Sequence, residues 1–214
     1  PARTQSPKTL AVIENDTMTK EEFQILWTLN YPDTVPISYL LKHDYSDRWF
    51  RIHSLPELKR YAEDEVEWGT LISRQNEIIT DLFGQETPIL IVTGEYNWGD
   101  NRQIHITEEE EVFKPFLFIR LDNIALNKID AEQYDEPDIY RPAFAQTIWK
   151  PNYHNKLLRE IANDNTRAFF ISFEKNVIVA PYDGGVDFVL KDSLTKEYYK
   201  TKYRQWLSER EDGL

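Results

Sequence analysis

The 214 residues carry 37 acidic against 25 basic side chains, a net charge of −12, which repels nucleic-acid phosphate and anionic lipid and favours a basic protein surface. The absence of cysteine excludes disulfides, thiolate metal sites and cysteine nucleophiles, and it fits a reducing compartment. A composition that is 41% hydrophobic and 14% aromatic, with no apolar run long enough to cross a bilayer and no basic segment leading into an apolar one, gives the expectation of one soluble cytoplasmic protein.

Residues 1–18 read as a loose lead-in to a single domain over residues 19–214, although Thr9-Leu10-Ala11-Val12-Ile13 has the composition of an edge strand. Thr19 followed by Glu22 is a capping box, and Phe23, Leu26, Trp27 and Asn30 continue at helical spacing until Tyr31-Pro32 stops the helix. Pro36 opens a short helical stretch through Leu40-Leu41. Trp49-Phe50-Arg51-Ile52-His53 has strand residue types, and alternation puts Trp49, Arg51 and His53 on one face with Arg48, Phe50 and Ile52 on the other. Residues 63–83 form the clearest long helix, with Trp68, Leu71, Ile72, Ile79, Leu82 and Phe83 in one stripe and Gly84 at its end.

Pro88-Ile89-Leu90-Ile91-Val92-Thr93 reads as a strand buried on both faces, followed by the turn residues Asn97-Trp98-Gly99-Asp100-Asn101. Strand character returns over residues 116–121 and 143–149. Between them lies an acidic loop in which Asp130, Glu132, Asp135, Glu136 and Asp138 occur without a Lys or Arg. Residues 152–163 fit a helix on the spacing of Tyr153, Leu157 and Ile161. Residues 168–173, 177–180 and 186–190 fit a three-stranded meander closed by Lys175-Asn176 and by Gly184-Gly185, where glycine is expected for its access to positive φ. Asp192 or Ser193 caps a last helix whose inward stripe is Tyr199, Tyr203 and Trp206. Mixed element order with several adjacent strand pairs predicts an α+β domain with a largely antiparallel sheet and about four helices.

Two groups of polar residues are candidates for chemistry. Asp183 and Asp187 stand four apart across the glycine turn, but two carboxylates fall short of the oxygen set a hard cation needs. The simpler reading is a turn in which Asp183 bonds its own backbone and Asp187 points outward, so no metal or other cofactor is expected. Arg48, Arg51 and His53 beside Trp49 could take a carboxylate or phosphate, since guanidinium offers a bidentate fork and imidazole titrates near neutrality. The competing reading pairs them with Glu57 or Asp64 on a solvent-facing sheet. His43, His105 and His154 lack zinc-ligand spacing and read as structural. Glu95 ends a buried strand without a partner acid, and Arg120 with Asp122 reads as a local pair.

Tyr182-Asp183-Gly184-Gly185-Val186-Asp187 and Trp206-Leu207-Ser208, with Arg48-Trp49-Phe50-Arg51-Ile52-His53-Ser54-Leu55-Pro56 and Arg120-Leu121-Asp122-Asn123, resemble an uncharacterised bacterial family, a domain of unknown function found in small acidic stand-alone proteins. The resemblance runs from about Met18 onward. It implies one coherent domain and carries no catalytic residue with it.

Two functional readings follow. In the first, the chain is a protein-interaction module whose acidic loop, Asp130, Glu132, Asp135, Glu136 and Asp138, docks a basic partner protein, in the way an immunity protein neutralises a basic toxin domain. Nucleic acid and membrane are not expected partners. The alternative is a small-molecule enzyme or sensor using Arg48, Arg51 and His53 together with Asp183 and Asp187, provided that the fold gathers them around one pocket. A fold with Arg51 and Asp183 on opposite sides would end that alternative.

Overall fold

The computed structural model describes residues 17–99, 107–208 and 210. The expected edge strand at residues 9–13, Asp100 and Asn101 of the expected turn, and His105 lie outside them. In chain order the elements are α1 (Lys20–Asn30), α2 (Leu41–Asp44), β1 (Trp49–His53), α3 (Glu65–Phe83), β2 (Thr87–Asn97), β3 (Phe118–Arg120), β4 (Ile124–Ala125), β5 (Ile139–Trp149), α4 (Asn155–Ala162), β6 (Ala168–Ser172), β7 (Val177–Pro181), β8 (Gly185–Val189) and α5 (Ser193–Lys202). Eight strands form one sheet in the order β1-β8-β7-β6-β2-β5-β3, with β4 also on β5, and each pairing is antiparallel. The fold is the α+β class the sequence predicts, with five α-helices described; the helical stretch expected after Pro36 is a 3-10 turn over Ser38–Leu40 that runs into α2, itself a single turn.

Strand alternation sends the sheet's side chains into two cores. On one face Phe50, Ile52, Ile91, Phe170, Val179, Val186 and Phe188 pack under α3 and α4, with Tyr203 beyond α5 closing the layer. On the other face Leu90, Val92, Phe144, Phe169, Ile171 and Ile178 meet Phe23 and Trp27 of α1 and Leu41 of α2. α1, α3 and α5 begin where the sequence has a cap. Thr19 and Glu22 close the capping box of α1. Asp64 accepts from the Val66 and Glu67 amides at the start of α3, and Asp192 accepts from the Thr195 amide at the start of α5.

Several boundaries differ from expectation for a tertiary reason. β2 continues past Thr93 to Asn97 because β5 holds it in the ladder, with Thr93 opposite Ala143 and Asn97 opposite Ile139. The polar residues of that stretch look like a strand end until the partner strand is known. Tyr153 is exposed and precedes α4. His154 is the N-cap residue of α4, and its ring is buried and stacked against Trp149.

The two informative glycines do different work. Gly84 ends α3 at φ 84°, the backbone region that favours glycine. Gly184 and Gly185, by contrast, are not at positive φ. Gly185 is there for close approach: a Cβ on it would sit 2.0 Å from the carbonyl oxygen of Ile52 in the adjoining strand. The hairpin closes by reciprocal bonds, Tyr182 N–H to Gly185 O at 2.9 Å and Gly185 N–H to Tyr182 O at 3.3 Å.

Candidate functional site: an ion-paired pocket and an apolar helix face

Register places Arg51 of β1 directly opposite Asp187 of β8. The result is a bidentate pair across the strands: Arg51 Nε donates to Asp187 Oδ1 at 2.6 Å and Nη2 to Oδ2 at 2.9 Å. Their side chains are only 15% and 12% exposed, and the guanidinium lies over the Tyr182 ring, 4.5 Å from its centroid. Asp187 therefore does not point outward into solvent, and the partner of Arg51 is neither Glu57 nor Asp64; Asp64 is spent on capping α3.

Asp183, at the tip of the same hairpin, accepts from Arg60 Nε at 2.6 Å and from the Tyr61 hydroxyl at 2.7 Å. Burial would raise its carboxyl, but these donors outweigh burial and hold it below the ordinary carboxylate range. Burial pushes the Tyr182 phenol up to about 12, so it is a neutral hydroxyl at physiological pH. Arg51, Asp183 and Asp187 line one cavity of about 230 Å³, joined there by Lys42, Arg60 and Arg167.

Arg48 and His53 are not part of that cavity. Arg48 is a structural clamp: Nη2 donates to the Asn30 carbonyl at 3.1 Å, Nη1 to Asn176 Oδ1 at 3.2 Å and to the Leu190 carbonyl at 3.3 Å. Its guanidinium lies over the Tyr45 ring at 4.3 Å. His53 has a lowered pKa, from burial and then from the charges of Arg51 and Arg74, so its imidazole is neutral at physiological pH. No local sequence pattern links Lys42, Arg60, Thr166 and Arg167, which only the fold brings together.

A family described as a domain of unknown function (DUF3885) matches residues 37–211. The chain belongs to that family. No curated protein matches the chain, and no solved structure matches it. The matched residues begin at Ile37 rather than near Met18, so the ion-paired pocket is built wholly within the DUF3885 domain, whereas α1 precedes it. No helix among the described residues is long and apolar enough to cross a membrane.

That preceding helix is apolar on two sides. Phe23 and Trp27 face the sheet, while Ile25 and Leu29 are 67% and 75% exposed. Leu29 stands on the rim of an open groove of about 670 Å³ whose apolar lining includes Met18, Leu26, Ile148 and Phe173. Around the groove and the adjoining face of α1 the charged lining residues among those described are Glu174 and Glu21, with no Lys or Arg among them.

The acidic loop of the DUF3885 domain is partly occupied with its own folding. Asp130 Oδ1 accepts from the Glu132 and Gln133 amides at 3.0 and 3.1 Å. Asp138 is buried and accepts from the Asp135 amide at 2.9 Å. Glu132, Asp135 and Glu136 are exposed.

Glu95 has acquired the partner acid that its local sequence lacks. It is 5% exposed, accepts from the Thr107 amide at 3.3 Å, and lies 3.5 Å from Arg120 and 3.7 Å from Arg141. Arg120 bridges it to Glu108 at 3.2 Å, while Asp122 turns instead to Lys20 and Gln24. Burial, and then the Glu108 charge, raise the Glu95 carboxyl above its ordinary value. The folded protein thus holds this proton more tightly than the unfolded chain does, so this group's contribution to stability falls as pH rises from the ordinary Glu value through the raised one. Glu95→Gln removes that slope. Urea denaturation is expected to show the variant gaining on the wild type as pH rises above the ordinary Glu value, and a constant difference would refute the assignment.

Proposed function

We propose that this protein is an interaction module that seats a basic amphipathic segment of a partner protein on the outer face of α1. The observation that carries the reading is the pairing of exposed Ile25 and Leu29 with an open apolar groove whose charged lining is acidic, in a chain of net charge −12. Contiguous exposed apolar surface with a polar rim is the physical signature of a docking site. The apolar centre supplies the affinity, and the acidic field accelerates encounter with a cationic partner and disfavours anionic ones. Exposed Glu132, Asp135 and Glu136 add to that field.

The test uses the full chain as immobilised bait beside an Ile25→Lys/Leu29→Lys double variant. Both positions are exposed, so the fold is expected to persist. The wild type is expected to retain a basic protein at low salt and release it as salt rises, with the double variant binding it at least about tenfold more weakly. Equal retention by both baits, or no basic protein retained by the wild type, would reject the docking face.

A further inference from the structure

The ion-paired pocket lies apart from α1 and has a different chemistry. Its walls come from five places in the chain: Ser38, Tyr39 and Lys42 around the start of α2, Arg51 of β1, Arg60 before α3, Asp164, Thr166 and Arg167 ahead of β6, and the β7–β8 hairpin. Within this acidic chain the lining is locally basic, because Lys42, Arg51, Arg60 and Arg167 outnumber Asp164, Asp183 and Asp187.

These charges are not equally committed. Arg51 is held by Asp187 and Arg60 by Asp183, each through hydrogen bonds of 2.6 Å. Arg167 stands 3.7 Å from Asp164, beyond hydrogen-bond range, with both side chains more than half exposed. Lys42 has no ion pair among the described residues. Thr166 belongs to the same wall, but its hydroxyl is enclosed in the protein rather than open to the cavity, without a hydrogen-bond partner among the described residues. A buried hydroxyl left unpaired is costly.

We propose that this cavity binds a small oxyanion, the phosphate or carboxylate group of a small molecule, between Lys42 and Arg167. An oxyanion satisfies both loosely held cations together. A cationic ligand would meet an excess of like charge, and an apolar ligand would bury these groups without partners. The Asp183 and Asp187 carboxylates do not oppose the anion strongly, because Arg60 and Arg51 already neutralise them; Asp164 is the competitor for Arg167. A volume of about 230 Å³ is below the roughly 300–1,000 Å³ of drug-sized sites, so the ligand is compact.

Isothermal titration of the full chain with inorganic phosphate, and in parallel with malonate, at ionic strength held constant with chloride, tests the proposal and separates the two sources. Saturable binding of one of them is expected. Lys42→Met and Arg167→Gln should each weaken it about tenfold. Asp164→Asn should tighten it, a gain that damage to the fold cannot mimic. The proposal is overturned if neither anion saturates, or if Lys42→Met and Arg167→Gln leave the dissociation constant unchanged. Neither result bears on the α1 docking face.

Discussion

Gly185→Ala is expected to cost more than about 4 kcal/mol, placing it among the rare substitutions that endanger folding itself. The reason is backbone against backbone. The new Cβ would lie 2.0 Å from the Ile52 carbonyl oxygen, and no rotamer change relieves that contact. Relief requires β1 to move off β8. That movement would unpair Phe50 from Phe188, whose rings stack at 4.8 Å, and Arg51 from Asp187. Gly184→Ala is the control: its Cβ would meet the Tyr182 ring at 2.9 Å, a side chain that can rotate. Equilibrium urea denaturation of the two variants should show Gly184→Ala losing less than half as much. Equal losses would mean that strand approach is not what requires glycine at position 185.

Asp187→Ala is expected to destabilise the protein by about 3–5 kcal/mol, because it leaves a largely buried guanidinium without its bidentate carboxylate. The pair's geometry is near ideal at 2.6 and 2.9 Å, and its low exposure of 15% and 12% limits screening by solvent. Most of the expected loss is the penalty of a largely buried guanidinium losing its bidentate carboxylate rather than the net worth of the pair. An Arg51→Met/Asp187→Leu double variant should therefore recover most of the stability, as read by the same denaturation series. A double variant no more stable than Asp187→Ala would show that the pair itself, and not the uncompensated charge, holds the β1 edge to the sheet.

The functional residues divide along the same line between local and distant causes. Arg51 and Asp187 were each recognisable as polar groups on strands, yet their pairing spans most of the domain and depends on β1 adding to the far side of the meander. Glu95 reads as a lone acid until β5 and the residues following position 106 bring Arg141, Arg120 and Glu108 to it. Asp64 is a different case: its position ahead of an apolar-periodic run is a legible N-cap signal, and the nearby amides of Val66 and Glu67 take its carboxylate. In α1 the periodicity already carried apolar residues on two sides, but it could not tell which side the sheet would cover.

By itself the sequence determined the class of the fold and several of its elements: the capping box at Thr19, the long stripe ending at Gly84, the meander from Ala168 and the Asp192 cap of the last helix, which stops at Lys202 before the expected Tyr203 and Trp206. Those features depend on backbone geometry and side-chain period within a few turns or residues, which the chain states locally. Only the tertiary structure decided that Arg48 is a clamp while Arg51 lines a pocket, that Gly185 serves a close approach rather than a positive φ, and that Lys42, Thr166 and Arg167 share a wall with the β7–β8 hairpin. Strand order and register settle these questions, and both arise from the collective burial of two sheet faces, to which every strand contributes and which no local stretch encodes.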